Sequence, residues 1–151
     1  MINFFLLLCH LIAFLGAALE ANEIVASKCL VTRSPHIIYD VLSERSDHYD
    51  DLRVGENFRY QHYFPLIIVS VSSVRDIRAA VLCGKEYNLK LSVRNGGHSS
   101  ESLSQDVSYG ILIQLDDFSR VISIYANIEK NERYLKVQSG MRLGKSNKIC
   151  R

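Results

Sequence analysis

The stretch Arg94-Asn95-Gly96-Gly97-His98-Ser99 combines residue types whose spacing admits chemistry. Two adjacent glycines let the backbone take positive φ and approach a ligand with no Cβ in the way, and successive N–H groups of such a turn converge on an anion. Arg94 adds a fixed positive charge. A diphosphate spreads its charge over several oxygens and is best met by several donors at once, so this combination suits one. His98, one residue past the glycines, adds an imidazole, which acts as a nucleophile in its neutral form. Gly-Gly alone is also a common turn signal, so the surrounding elements have to decide between a ligand loop and an ordinary turn.

Two other histidines invite a metal reading. His48 lies in Ser46-Asp47-His48-Tyr49-Asp50-Asp51, and His62 stands between Gln61 and Tyr63. A hydrated acidic surface turn accounts for the first without a cation, because hard cations want a defined cage of oxygens. The expectation is therefore no metal ligands.

The elements that must position the glycine turn can be read from periodicity. Pro65 opens a β-branched run, Leu66-Ile67-Ile68-Val69-Ser70-Val71, whose near-continuous apolar character predicts a strand buried on both faces. Ser73 with Asp76 three residues later is a capping-box start, and Val74, Ile77, Val81 and Leu82 recur at helical spacing up to Tyr87. Asn88 ends that helix, and Leu89 to Arg94 form a second strand. A strand–helix–strand crossover of this size places the two strands parallel, with the loop after the second at the carboxyl edge of the sheet, where ligands tend to bind. The Gly-Gly-His turn is that loop. Further strands are predicted over Ile111–Leu115, Val121–Tyr125 and Tyr134–Gln138, and Gly140 opens a final helical turn running towards Arg151. Residues 31 to 64 show no clean period.

The chain has 151 residues, of which 48% are hydrophobic, enough for one ordinary core. Its 18 basic and 16 acidic residues are interspersed for a net charge of +2, and nothing interleaves basic and aromatic residues as nucleic acid binding favours. Phe4 to Leu19 is apolar except for His10 and is followed by small residues, which reads as a secretory leader cut after Ala18 or Ala21. A membrane anchor is the alternative, but the run is shorter than the roughly 20 residues of a bilayer span. Secretion implies an oxidising destination. Cys9 leaves with the leader, so Cys29, Cys83 and Cys150 remain, an odd number. Pairing Cys29 with Cys83 would tie the N-terminal arm to the domain, whereas an unpaired Cys83 would be a small buried hydrophobe on a helix face.

Arg94 to Ser99, preceded by Asp76 to Cys83 and followed by Glu101 and Ser104, resembles the FAD-binding, PCMH-type domain of secreted berberine-bridge-enzyme-like oxidases in the vanillyl-alcohol-oxidase superfamily. The similarity runs from about Cys29 to Gly144. It implies an α+β fold, the N-terminal portion of that domain, with strand-helix-strand followed by further strands. It also implies FAD as the cofactor, bound by Arg94, Asn95, Gly96, Gly97, His98 and Ser99, with the turn's amides on the diphosphate and His98 bonded to the flavin 8α carbon. Cys29 and Cys83 sit where plant-type members place a disulfide, and Val137-Gln138-Ser139-Gly140 resembles the strand and glycine leading towards the isoalloxazine.

The implied activity is oxidation of an alcohol or sugar carbon by hydride transfer to FAD, which dioxygen reoxidises. A secreted domain that keeps the fold without flavin is the rival. The family's second flavin cysteine, its substrate domain and its catalytic base have no counterpart in the sequence, and Cys150, flanked by Lys148, Ile149 and Arg151, does not match the glycine-rich setting of that cysteine. No catalytic residue is therefore assigned. The expected organisation is a leader over 1–21, an N-terminal arm over 22–60 and a truncated FAD-binding domain over 61–151, with no nucleic acid partner and no stable membrane anchor.

Overall fold

The computed structural model describes residues 2–55, 62–101, 103–104, 106–127, 129–144 and 146, with the side chains of 2–5 left out. Cys150 lies outside the described residues. In chain order the elements are α1 (Ile2–Arg33), β1 (Ile38–Val41), a 3-10 turn (Leu42–Glu44), α2 (Asp47–Arg53), β2 (Ile67–Ser70), α3 (Val74–Glu86), β3 (Leu91–Arg94), β4 (Ile111–Gln114), β5 (Val121–Asn127) and β6 (Glu132–Val137).

Four strands form one sheet in the order β1-β2-β4-β3, and β5 pairs with β6 in a second. The strands β2, β4 and β3 run parallel, while β1 is antiparallel to β2. The crossover predicted from the sequence is thus present, with β4 inserted between the two strands that α3 connects. The fold is α+β, as the resemblance implied.

The apolar runs of β2 and β4 are continuous because both faces are covered. Ile67, Val69, Ile111 and Ile113 meet Ala79, Ala80 and Cys83 of α3 and Ala26 and Leu30 of α1. Ile68 and Leu112 point to the opposite face, against Tyr49 of α2 and Val107. The helix α3 starts where the sequence places it: the Ser73 hydroxyl accepts the Asp76 N–H, and the Asp76 carboxylate accepts the Ser73 N–H at 2.9 Å. It ends at Glu86, with Tyr87 as its cap, and Asn88 at φ 51° then turns the chain away.

Two segments differ from the sequence expectation. The acidic stretch read as a hydrated turn is α2, with Ser46 as its cap and Asp47 and Asp50 in the first turn, where carboxylates favour the helix dipole. It is held down by Tyr49, fully buried, whose hydroxyl donates to the Pro65 carbonyl at 2.6 Å. Burial pushes that phenol's pKa well above its ordinary value. The stretch before Pro65 without a clean period also contains β1, which at four residues is too short to show one.

The helix α1 extends past the apolar run to Arg33, and its two parts differ. From Leu6 to Asn22 no side chain is buried, whereas Glu23, Ala26, Cys29 and Leu30 are. The inner part is fixed by the Cys29–Cys83 disulfide, with Cα atoms 5.9 Å apart, and by Glu23, which accepts the Ser43 N–H at 3.1 Å. The disulfide that the resemblance implied is therefore formed. Closing a loop across 54 residues contributes about 4 kcal/mol in the chain-entropy account.

Candidate functional site

Ser70, Gln114 and Arg94 end the three parallel strands in one register row, and the Gly96–Gly97 turn leaves the sheet directly after it. Two features at this edge are suited to an anion: the N-terminus of α3 and the glycine turn. The first is closed by its own carboxylate. Asp76, 5% exposed, accepts from the Ser72 and Ser73 N–H groups at 3.1 and 2.9 Å and from the Ser34 hydroxyl at 2.6 Å. Burial alone would raise its pKa, but these bonds from Ser34, Ser73 and Ser72 outweigh it and hold the carboxyl below its ordinary value.

The second is the glycine turn. Gly97 has φ +77°, a conformation a side chain would strain, and it is buried. Among the described residues neither Gly96 nor Gly97 donates its N–H to any group. A Cβ on Gly97 would lie 2.9 Å from Arg94 Nε, so the guanidinium lies directly against the turn. Arg94 donates through Nη1 to the Leu52 carbonyl in the last turn of α2, while its Nε is buried with no partner. Among the described residues no carboxylate forms an ion pair with Arg94. Burial pushes its pKa down, Asp116 nearby draws it up, and Arg142 pushes it down again. A desolvated cation without an ion-pair partner behind two undonated amides is an arrangement that an anion would satisfy.

His98 is exposed, and its ring folds back over Gly96, where an added Cβ would meet Cδ2 and Nε2 at 2.7 Å. Ser99 is used locally, its hydroxyl accepting the Leu103 N–H at 3.1 Å, and Ser92 donates to the Leu103 carbonyl at 3.4 Å. Asn95 turns its side chain away from the turn and donates to the Ser139 carbonyl at 2.5 Å.

That bond introduces a second wall that sequence reasoning placed only by resemblance. Gly140 donates its N–H to the Phe118 carbonyl at 2.8 Å, and a Cβ there would run into the Leu115 carbonyl, so only glycine fits. Arg142 reaches Asp116 at 3.3 Å, and Asp116 also accepts from Gln114 Nε2 at 2.6 Å. Gln114 is 3% exposed and its Oε1 has no partner. The sequence offers no signal for Gln114, Asp116 or Arg142, because each is defined by register or by contact across the edge. Cys29 and Cys83 are not part of the site: they lie towards the end of α3 remote from the carboxyl edge. The described residues contain no group of three His, Cys, Asp or Glu able to hold a metal ion.

The sequence profile of the FAD binding domain family matches residues 65–151. Carbohydrate oxidase from Microdochium nivale is 35% identical over 83 residues, covering 54% of this chain and 16% of that protein. Berberine bridge enzyme-like 8 from Arabidopsis thaliana is 29% identical over 80 residues, 53% of this chain and 15% of that one. The crystal structure of the Microdochium nivale oxidase in complex with a substrate analogue superposes with a TM-score of 0.64 and 28% identity, covering 82% of this chain and 24% of that chain. Xylooligosaccharide oxidase from Myceliophthora thermophila, in complex with xylobiose, gives a TM-score of 0.64 at 26% identity over the same shares. The chain belongs to the FAD binding domain family, whose cofactor is FAD, and the relatives it is similar to are berberine bridge enzyme-like proteins and carbohydrate oxidases. It spans about a sixth of the length of these curated relatives.

Proposed function

We propose that this chain supplies the diphosphate-holding and histidine-bearing end of the FAD site of a secreted flavin-dependent oxidoreductase acting on an alcohol or carbohydrate carbon. The observation that carries the proposal is the pair of undonated amides at Gly96 and Gly97, among the described residues, backed by the half-buried guanidinium of Arg94. FAD, when bound, supplies the hydride-accepting ring. The amides of Gly96 and Gly97 hold the diphosphate, and Arg94 offsets its charge from behind without needing to touch it. His98 is the covalent attachment residue. The imidazole would hold the flavin through its 8α carbon, and the redox chemistry of that attachment would be the flavin's own.

Secretion rests on the contrast within α1. Among the described residues no side chain from Leu6 to Asn22 is buried and Glu23 is the first that is, so cleavage after Ala21 keeps every buried side chain described in α1. By length and composition the helix could also cross a membrane over Leu6–Arg33. The docking of Ala26, Cys29 and Leu30 against α3 competes with that, because those residues cannot pack on the domain and face lipid together.

Titration of the 151-residue chain with FAD, followed by quenching of flavin fluorescence, tests the diphosphate site. Weak saturable quenching is expected, reduced at least tenfold by Arg94→Met and by Gly97→Ala. Quenching unchanged in both variants contradicts the proposal.

A further inference from the structure

We infer that the outer edge of β1 is a docking site for an extended peptide segment carrying a lysine or arginine between two apolar residues, taken up as a fifth strand of the sheet. It is the edge opposite β3 and the glycine turn: β1 ends the order β1-β2-β4-β3, and one of its sides has no strand beside it. The register pairs Ile38 with Ser70 and Asp40 with Ile68, and the next residue in that series, Leu42, donates its N–H to the Leu66 carbonyl at 3.0 Å. Bonding residues alternate along an antiparallel pair, so the even-numbered residues serve β2, and the N–H and C=O groups of Tyr39 and Val41 point away from it. Among the described residues none of these four groups has a hydrogen-bond partner. The next outward amide, that of Ser43, donates to the carboxylate of Glu23, which is 5% exposed. The edge is thus closed by α1 at Ser43 and open along Tyr39 and Val41.

The surroundings of the open stretch suit a strand of one particular pattern. Tyr39 and Val41 pack on the α1 side of the sheet, whereas Asp40 is on the α2 side, 3.8 Å from His48 of α2. Between Tyr39, Val41 and α1 runs a groove of about 710 Å3 whose wall includes Ile24 and Val31, 53% and 41% exposed. A strand laid antiparallel on β1 with one residue opposite Asp40 brings the residues on either side of it against Tyr39 and Val41, at the mouth of that groove, where apolar side chains gain most. The middle residue meets the Asp40 carboxylate. Glu23, Asp40 and Glu44 outnumber Lys28 along the groove and edge, so a basic side chain is the complementary choice. Asp40 also selects against a second copy of this chain. Edge-to-edge pairing about a twofold axis would join Tyr39 to Val41 in both directions and set the two Asp40 carboxylates directly opposite each other. A charge on an edge strand blocks self-association in this way while its backbone stays available to a partner of opposite charge.

The probes are the peptides Thr-Val-Lys-Val-Thr and Thr-Val-Glu-Val-Thr, blocked at both ends and added to the 15N-labelled 151-residue chain. The lysine peptide is expected to give saturable NMR shifts centred on Tyr39 and Val41, to slow hydrogen exchange at those two amides, and to bind at least about threefold more tightly than the glutamate peptide. Asp40→Lys is expected to reverse that preference, and the comparison of the two peptides on the unaltered chain stands if the variant does not fold. Equal binding of the two peptides, absence of saturable binding, or shifts centred away from β1 overturn the site. Exchange at Tyr39 and Val41 that slows with protein concentration in the absence of peptide places a second copy on the edge and overturns the choice of occupant.

Discussion

The four-stranded sheet and the β5–β6 hairpin are both built from β-branched and aromatic residues, yet they have opposite fates. In the sheet, Ile67, Ile68, Ile111 and Leu112 are fully buried between α1 and α3 on one side and α2 on the other. In the hairpin, Ile122, Ile124, Tyr125 and Tyr134 are each at least half exposed. The same side-chain chemistry gives a rigid platform where both faces are covered and a marginal ribbon where neither is, since two strands alone bury too little to be stable. The glycine turn grows from the platform. The second wall of the cleft grows from the end of the ribbon, and the ties at Asn95, Gly140 and Arg142 hold the ribbon's exit to the platform.

The sharpest way to break this comparison is to remove the staple on the platform side. Cys83→Ser should lower unfolding stability by about 4 kcal/mol, with the loss confined to the sheet and its helices. Chemical denaturation read by tyrosine fluorescence measures it, and hairpin NMR shifts that stay unchanged in the folded variant localise it. A large hairpin perturbation would mean the two regions are not separable. Truncation within each region comes next. Ile113→Ala, at 1% exposure, should cost about 3 kcal/mol, and Ile124→Ala, at 60% exposure, no more than about 0.5 kcal/mol. Equal costs would contradict the contrast in burial.

A smaller effect sharpens the platform's acid sensitivity. Asp76 has its folded pKa held below the ordinary 3.8, so its contribution is fully present above that value and is lost as pH falls through the folded pKa. Asp76→Asn should cost about 1 to 2 kcal/mol at neutral pH and flatten the acid limb of the stability curve. A variant with the wild-type limb would show that the carboxylate of Asp76 does not carry this dependence.

Much of the platform is legible in the sequence because its signals are local. The Ser73–Asp76 box, the apolar runs of β2 and β4, and the polar turn between β5 and β6 each report on a few consecutive residues. The glycine turn is legible for the same reason, and its place at the carboxyl edge follows from the crossover. What escapes is set by distant partners. The short helix α2 depends on Tyr49 reaching Pro65, the burial of Arg94 depends on Leu52, and the orientation of Asn95 depends on Ser139. Arg94 and Asn95 read from the sequence as members of the ligand loop, and the fold adds their neighbours: Arg94 lies half-buried against Gly97, and Asn95 donates to the Ser139 carbonyl.

The most direct measurement is the mass of the tryptic peptide Asn95–Arg120 from residues 22–144 grafted into the Microdochium nivale carbohydrate oxidase in place of its matching segment, after denaturation in acid. The account predicts that this peptide carries a covalent flavin on His98, and that His98→Ala yields the same peptide without it. An unmodified His98 peptide from a graft that retains FAD, or an adduct that survives His98→Ala, would contradict it.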